Sequence, residues 1–257
     1  MYHSDSLFPG PAALDRPLDT PAMPFWKRSK SRTKKKRSLA WRIVRTVLAA
    51  TLAFYLLCAL SLVCLRWMNP LITTVQVQRR VESLFSKQKY EARRSFVPLR
   101  QIPLDLRHAV IAAEDGAFYA HRGIDWQELG KVWEEVEEDG RLRGASTITQ
   151  QLVKNLFLTT HRSPVRKMMD FTLAPLAELI LSKDRILELY LNVIEWGPGI
   201  YGIDQAARYH YSTPPAGLSR EQSARLAACI PAPRTRKPAR MNQYAAVILD
   251  RMDRRGW

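Results

Sequence analysis

The sequence predicts a mainly α-helical protein in which a single N-terminal transmembrane helix precedes one helical domain. Three observations support this fold class. A long apolar segment lies near the N-terminus, apolar residues further along recur at intervals of three and four, and helix-start signals precede several of these runs, with little strand signal between them. The chain of 257 residues is long enough for one full-sized domain with short appendages.

The positive charge of the chain is concentrated at its start. The formal net charge is +16, and half of this positive charge lies in residues 1–45, which contain 11 Lys or Arg and 3 Asp or Glu. Such an excess indicates a nucleic acid, an anionic membrane surface or an anionic substrate as partner. Residues 1–25 contain five of the sixteen prolines and no apolar periodicity. We therefore expect residues 1–42 to form a disordered basic leader.

An apolar segment favours the membrane among these partners. The chain contains no Asp, Glu, Lys, Arg or His from Thr46 to Leu65, and Trp41 and Trp67 flank the segment. As a helix it would span about 30 Å, the thickness of the hydrocarbon core of a bilayer. The sequence therefore predicts a transmembrane helix over residues 43–67.

The basic run KRSKSRTKKKR, residues 27–37, precedes this helix and predicts a cytoplasmic N-terminus and a translocated C-terminal body. A secretory signal peptide is the alternative. It requires a shorter apolar core followed by small residues at a cleavage site, whereas Arg66 and Trp67 follow here. The uncleaved anchor is the favoured interpretation.

Residues 68–94 are predicted to form a juxtamembrane helix or linker, and residues 95–257 the outer helical domain. Within that domain Trp126, Leu129, Trp133 and Val136 form one apolar stripe at helical spacing, which Gly140 ends.

Helix starts are predicted by the capping box of Thr147 with Gln150, by Ser163 before Pro164, and by Ser182. The segment WGPGIYG, residues 196–202, is predicted to be a glycine-rich loop, and helices follow through Ala206, over Ser219–Cys229 and over Met241–Met252. Cys229 is the one cysteine of this domain, so its sequence predicts no internal disulfide.

The first cluster of candidate functional residues is EDGAFYAHRG, residues 114–123. Glu114 and Asp115 follow the apolar stretch of residues 109–113, and aromatic side chains lie within two turns. A carboxylate against apolar surface has a raised pKa and can take a proton near neutrality. The alternative is structural, with Glu114 in a salt bridge and Asp115 opening a turn.

The second cluster is GASTITQQLVKN, residues 144–155. Its helix would begin at Thr147, and Gln150 and Lys154 would share one face. Free N–H groups at the helix start together with Lys154 suit a phosphate or a sugar. A polar solvent-exposed face is the alternative.

The third cluster, RSPVRKMMD, covers residues 162–170 and contains Arg166 and Asp170 at i, i+4 spacing with Lys167 beside them. A surface salt bridge explains this pattern, and so does a cation group that binds a pyrophosphate.

In this order and spacing the clusters resemble the signature motifs of the bacterial peptidoglycan glycosyltransferases, the lysozyme-like family that polymerises lipid II. The first motif is matched by Glu114, Asp115, Phe118, His121 and Gly123. The others are matched by Gly144, Ser146–Gln151, Lys154 and Asn155, then Arg166 and Lys167, then Ile186, Leu187, Glu188, Tyr190, Leu191 and Asn192. The resemblance covers residues 95–235, and a chain of this length has no room for a penicillin-binding domain. It therefore implies a monofunctional biosynthetic enzyme.

The resemblance implies a lysozyme-like fold and assigns catalysis to Glu114, as the general base, and to Asp170. It also implies that lipid II and its pyrophosphate are bound by Asp115, Phe118, His121, Ser146, Thr147, Gln150, Gln151, Lys154, Asn155, Arg162, Arg166, Lys167 and Glu188. Mg²⁺ or Mn²⁺, held by Asp170 or Glu114, is a candidate cofactor, although no metal is required with certainty. The family normally has Glu where this chain has Asp170, which shortens the carboxylate by one methylene.

The implied partners are lipid II, the growing lipid-linked glycan chain and the membrane, with other cell-wall synthesis or division proteins as candidates and no nucleic acid. The implied location is the bacterial inner membrane, with the domain on the periplasmic side. A lysozyme-like glycan hydrolase and a catalytically weak cell-wall scaffold are the alternatives. The Ser-Thr-Ile-Thr-Gln-Gln segment and its neighbouring cations suit a pyrophosphate better than a neutral glycoside.

Overall fold

A computed structural model describes residues 39–85, 90–139, 144–161 and 163–257, and these residues are mainly helical, as the sequence predicts. Residues 1–38, which include most of the predicted leader, lie outside the described residues. So do Gly140, Arg162 and the side chain of Val136.

Helix α1, Leu39–Leu65, is the one described helix that is long and apolar enough to cross a membrane. Most of its side chains are exposed, but Cys58 and Leu62 are buried against the domain that follows. The Tyr55 hydroxyl lies 2.5 Å from Thr172 Oγ1, and Arg185 donates to the carbonyl of Leu65 at 2.8 Å. The C-terminal part of this helix is therefore fixed to the outer domain.

Helix α2, Thr74–Leu84, confirms a helix within the juxtamembrane segment. A capping box begins it, because Thr73 and Gln76 each accept the other's backbone N–H. Leu84 and Phe85 at its end are 76% and 88% exposed. Apolar side chains thus face outward at the C-terminal end of α2.

The remaining helices are α3 Leu104–Glu114, α4 Trp126–Asp139, α5 Ile148–Phe157, α6 Pro164–Ile180, α7 Lys183–Val193, α8 Ile203–Tyr211, α9 Arg220–Ala227 and α10 Asn242–Asp253. Three predicted start signals are confirmed, because the side chains of Thr147, Ser163 and Ser182 each accept a backbone N–H three residues on. These caps set the first residues of α5, α6 and α7.

The apolar stripe around Trp126 does form a helix, but its tryptophans do not enter the core. Trp126 and Trp133 are each 67% exposed, and among the described side chains of this helix, residues 126–135, Val132 is the buried one. The spacing of apolar residues thus identified the helix, while its buried side depends on what packs against it.

The segment predicted as a glycine-rich loop forms two short strands instead. β2, Glu195–Gly197, pairs antiparallel with β3, Ile200–Tyr201, and β3 pairs in parallel with β1, Arg93–Arg94. Gly199 turns the chain with φ +75, and its backbone N–H bonds to the Glu195 carboxylate at 3.2 Å. Strands of two or three residues show too little alternation to be recognised from sequence.

The core of the domain forms around two helices, α3 and α5. α3 packs against α9 and α10, while α5 packs against α6 and α7. Residues Ala109–Ala112 of α3 are buried, so this helix runs through the interior and ends at Glu114. The packing thereby brings the end of α3 to the first turns of α5.

Candidate active site

Glu114 is the last residue of α3 and borders an open pocket. Its Oε2 accepts a hydrogen bond from Gln151 Nε2 at 2.6 Å. Burial raises the pKa of Glu114 above its ordinary value, and Asp115 adds to the rise, while the Gln151 bond, Lys154 and Arg236 oppose it. The side chain keeps some accessible surface, so it combines a raised pKa with access for a substrate, as a general base requires.

Gln151 is itself held from the other side. The Tyr190 hydroxyl donates to Gln151 Oε1 at 2.9 Å, and Tyr190 is fully buried on α7. Helices α3, α5 and α7 therefore each contribute one member to a row of hydrogen-bonded side chains that ends on the Glu114 carboxylate.

Asp115 and His121 brace the turn that follows α3. His121 Nδ1 accepts the Gly123 backbone N–H at 3.1 Å, so its Nε2–H donates to Asp115 at 2.8 Å. Asp115 also accepts the Ile148 backbone N–H at 2.9 Å, at the start of α5. Gly123 has φ +91, and a Cβ there would lie 2.8 Å from the backbone of Ala174. The first motif thus fixes Glu114 to the start of α5.

Most polar residues of the second motif make structural contacts. Thr147 donates to the Gly123 carbonyl at 2.7 Å, and Gln150 completes the cap of α5. Asn155 donates to the Gln151 carbonyl at 2.8 Å. Ser146 differs, because its hydroxyl lines the pocket beside Glu114 and accepts from Lys167 at 2.9 Å.

The charged residues of α5 and α6 form a cation cluster, which consists of Lys154, Arg166, Lys167 and Asp170. Arg166 Nη1 donates to Asp170 Oδ2 at 2.7 Å, and Lys167 also reaches Gln150 Oε1 at 3.4 Å. Asp170 is buried, and its Oδ1 has no hydrogen-bond partner among the described residues. Burial raises the pKa of Asp170, against the lowering effect of the three cations.

Lys154 has no hydrogen bond or ion pair within the part of the chain that the structure describes. Its ammonium lies within electrostatic reach of Asp170, Arg166, Glu114 and Lys167. Burial lowers the pKa of Lys154, as do the two cations, while the two carboxylates raise it. A half-buried ammonium without an acceptor is suited to an anionic ligand.

Glu114 also borders a cavity of about 550 Å³, which we call the α3–α10 pocket. Its charged lining is balanced, with four acidic and four basic side chains: Glu114, Asp115, Asp125, Glu128, Lys131, Arg251, Arg254 and Arg255. Arg251 donates to the Ala112 carbonyl at 3.1 Å, and Arg255 to the Gly116 carbonyl at 3.3 Å. An uncharged sugar fits such a lining better than a diphosphate does.

Some residues named from the sequence are not brought to this cleft. Glu188 accepts the Leu99 backbone N–H at 2.7 Å and pairs with Arg185, so it fixes the end of α1 to α7 and makes no contact with the cation cluster. Phe118 is fully buried, with the ammonium of Lys183 4.4 Å from its ring centre. Arg162 lies outside the described residues.

Sequence reasoning missed four residues that the fold places at Glu114. Tyr190 belongs to the fourth motif, which was recognised without a role for it. Arg236, Arg251 and Arg255 are more than a hundred residues from Glu114 in the chain, and no local pattern distinguishes them from other surface arginines.

The candidate metal ligands do not fit a divalent cation. No group of three or more His, Cys, Asp or Glu side chains with suitable positions occurs among the described residues. Asp170 offers one free oxygen, but three cations lie within electrostatic reach of it. Mg²⁺ is usually bound by one or two carboxylates together with waters and substrate phosphates, and three neighbouring cations would repel it from Asp170. The side chains of this cluster are therefore better suited to binding an anion directly.

Comparison with known proteins places these residues in a family. Residues 80–253 match the model of the family described as Transglycosylase. The chain is 46% identical over 167 residues to a biosynthetic peptidoglycan transglycosylase of Brucella suis, covering 63% of this chain and 75% of the relative. It is 42% identical over 193 residues to one from Pseudomonas entomophila, covering 75% and 79%. It is 41% identical over 221 residues to one from Agrobacterium fabrum, covering 85% and 94%.

Proposed function

The chain belongs to the transglycosylase family, and on this premise we propose that it is a peptidoglycan glycosyltransferase that polymerises lipid II into β-1,4 glycan strands. The names of its relatives supply the substrate class. The observation that carries the chemistry is the arrangement around Glu114. A carboxylate with a raised pKa borders a charge-balanced pocket and lies within electrostatic reach of a cation cluster.

Glu114 serves as the general base of this reaction. The 4-hydroxyl oxygen of the acceptor sugar attacks C1 of the donor sugar, and its proton passes to the Glu114 carboxylate. The bond between C1 and the phosphate oxygen breaks, and the diphosphate leaves with the electron pair. Attack from the face opposite the leaving group inverts the anomeric centre from α to β, as in inverting glycosidases.

The cation cluster stabilises the leaving diphosphate. This group is already a good anion and requires compensation of its charge more than a proton donor. Lys154 has a free ammonium for that purpose, while Arg166 and Lys167 are held in place by Asp170 and Ser146. Undecaprenyl diphosphate is then released, and Glu114 returns its proton to solvent.

Asp115, His121, Thr147, Gln150 and Asn155 position the site without binding substrate. Their polar atoms are engaged by the turn after α3 and by the start of α5. This supports a positioning role because a side chain already bonded inside the protein gains little by exchanging those bonds for a ligand. Gln151 is likewise bonded at both ends of its amide. Ser146, Lys154, Arg166 and Lys167 remain the proposed substrate-facing residues.

The apolar surface next to α1 supports a location at the membrane. Val165, Met168 and Leu179 of α6 are 68%, 69% and 78% exposed, and the Thr172 side chain between them contacts Tyr55 of α1. We propose that this face of α6 enters the bilayer beside α1, with the N-terminus cytoplasmic and the domain on the outer face of the bacterial inner membrane. Enzyme and lipid-linked substrates then share one two-dimensional layer.

The replacement Glu114→Gln tests the proposal. In detergent, the purified full chain should convert labelled lipid II into long glycan strands on a gel, and the variant should be slower by roughly 10² to 10⁴-fold, as for loss of a general base. Asp105→Asn is the control, because this acid lies in the first turn of the same helix and is largely exposed. It should keep the wild-type rate.

Wild-type protein that forms no polymer would refute the proposal. Release of soluble fragments from isolated cell wall by the same preparation would indicate the hydrolase instead. Polymer formed by Glu114→Gln at the wild-type rate would leave the function intact and refute the base assignment.

A further inference from the structure

The amide of Gln151 has only one orientation that satisfies both of its neighbours. Its Oε1 can only accept a hydrogen bond and its Nε2 can only donate. The Tyr190 hydroxyl lies 2.9 Å from Oε1, and Glu114 Oε2 lies 2.6 Å from Nε2. Since Tyr190 donates to Oε1, the N–H groups of Gln151 are directed to the Glu114 carboxylate.

Tyr190 is suited to hold this orientation permanently. It is fully buried on α7, and burial together with the charges of Glu114 and Asp115 raises the pKa of its hydroxyl well above the ordinary value. The raised pKa keeps the hydroxyl protonated, so that it can donate to Gln151 Oε1, as it does at 2.9 Å.

The orientation of Gln151 affects the state of Glu114. An N–H that donates to a carboxylate favours its ionised form, which is the form that can take a proton. A flipped amide would instead present Oε1, which can bond to Glu114 only when the acid is protonated. The flipped arrangement would stabilise the form of Glu114 that cannot act as a base.

The other charges around Glu114 do not fix this amide. Lys154 of α5 and Arg236 after α9 favour the ionised form, and Asp115 opposes it. The pocket side carries Asp125, Glu128, Lys131, Arg251, Arg254 and Arg255. Within the described residues, Tyr190 is the one group that donates to Gln151 Oε1.

We propose that Tyr190 is a positioning residue for the transferase reaction, and that it acts through Gln151 to keep an N–H donor on the Glu114 carboxylate. The inference rests on the proposed function. It also gives the fourth motif a place in the site, since Tyr190 bonds to Gln151, which in turn donates to Glu114.

The replacement Tyr190→Phe tests the inference by its pH dependence. Loss of the donor frees the amide to flip, which raises the pKa of Glu114. The acid limb, meaning the fall of kcat/KM at low pH, should therefore lie about one pH unit higher than in the wild type. At pH values below this limb, kcat/KM of the variant should be roughly ten-fold lower than that of the wild type. On the high-pH plateau the rate should fall by less than about three-fold, because Glu114 is ionised there in both proteins.

Tyr201→Phe is the matched control. Tyr201 is also fully buried, and its hydroxyl bonds to that of Tyr90 at 2.8 Å, away from Glu114. This control loses one tyrosine hydroxyl bond but should leave the acid limb in place. A carbon-13 titration of the Glu114 carboxyl group provides the same comparison without relying on activity.

A double-mutant cycle separates positioning from a general loss of structure. Gln151→Met should raise the acid limb by itself, and Tyr190→Phe should add no further shift in that background. A wild-type acid limb in either single variant would overturn the inference, as would an additional shift in the double variant. None of these outcomes depends on whether the proposed function is correct, because polymerisation by the wild-type protein is measured separately.

Discussion

The two sides of Glu114 differ in charge. On the α5–α6 side, the cation cluster has three basic side chains and one carboxylate, and Lys154 has no hydrogen-bond partner among the described residues. On the α10 side, four acidic and four basic side chains line the pocket. Glu114 is therefore close to a positive cluster and also borders a pocket whose charges are balanced.

This difference assigns a role to each side. In an inverting displacement the nucleophile and the leaving group lie on opposite faces of the reacting carbon. A diphosphate requires positive charge, whereas a sugar hydroxyl requires a nearby base and room for an uncharged ring. We therefore propose that the diphosphate lies on the cation side and the acceptor sugar in the α3–α10 pocket.

The replacement Lys154→Met should show the largest effect of the charge difference. It keeps the length of the side chain and removes an ammonium for which the described residues supply neither a hydrogen bond nor an ion pair. Loss of a single group that stabilises developing charge costs about 10² to 10³-fold in kcat. Initial rates of lipid II polymerisation would measure this loss.

Lys131→Met applies the same change on the pocket side. Lys131 is 66% exposed and lies 4.0 Å from Glu128, so its loss should cost less than about ten-fold, as expected for a screened surface charge. Equal losses in the two lysine variants would contradict the assignment of the diphosphate to the cation side.

Replacements of Asp170 test whether its carboxylate holds the cations in place. Asp170→Asn keeps the shape but removes the charge that neutralises Arg166, so we expect an activity loss of roughly ten- to a hundred-fold, in line with a broken buried ion pair. Asp170→Glu restores the residue that is usual in the family and should retain or raise activity. Rates and thermal unfolding of both variants would show whether the loss comes from the site or from the fold.

Loss of activity in Asp170→Glu with unchanged unfolding would have a different meaning. It would show that the pocket is built around the shorter side chain, in which Oδ1 is left without a partner.

Arg251 should show the smallest effect. It donates to the Ala112 carbonyl, two residues before Glu114, from an exposed position. Loss of such a bond is worth about 1 kcal/mol, so Arg251→Met should lower kcat by no more than about five-fold. Arg225→Met removes an arginine, 23% exposed, whose partner, Glu221, lies on its own helix, and it should leave kcat unchanged. A hundred-fold loss in Arg251→Met would indicate that this arginine binds the substrate.

Much of the site could be predicted from the sequence because its signals are local. The capping residues Thr147, Ser163 and Ser182 act within three residues of themselves, and each begins a helix as expected. Arg166 and Asp170 are one helical turn apart, so their ion pair follows once the helix exists.

The motif residues fall into two groups, those that face the cleft and those that hold the backbone, and the sequence motifs did not separate the two. Asp115 and His121 stand beside Glu114 in the chain, yet they bond to the turn and to α5. Glu188 belongs to a recognised motif but fixes Leu99 and Arg185. A motif records which residues a fold requires, without separating those that touch a ligand from those that hold the backbone.

The sequence by itself determined the membrane-length helix, the starts of the main helices and the chemical types present at the cleft, because each depends on residues within a few turns of one another. Only the tertiary structure decided that Tyr190 reaches Glu114 through Gln151, that Arg251 and Arg255 border the same pocket, and that the glycine-rich segment becomes two strands. These features depend on which helices and strands pack together. Burial then converts such long-range neighbours into a raised pKa and an unpartnered charge.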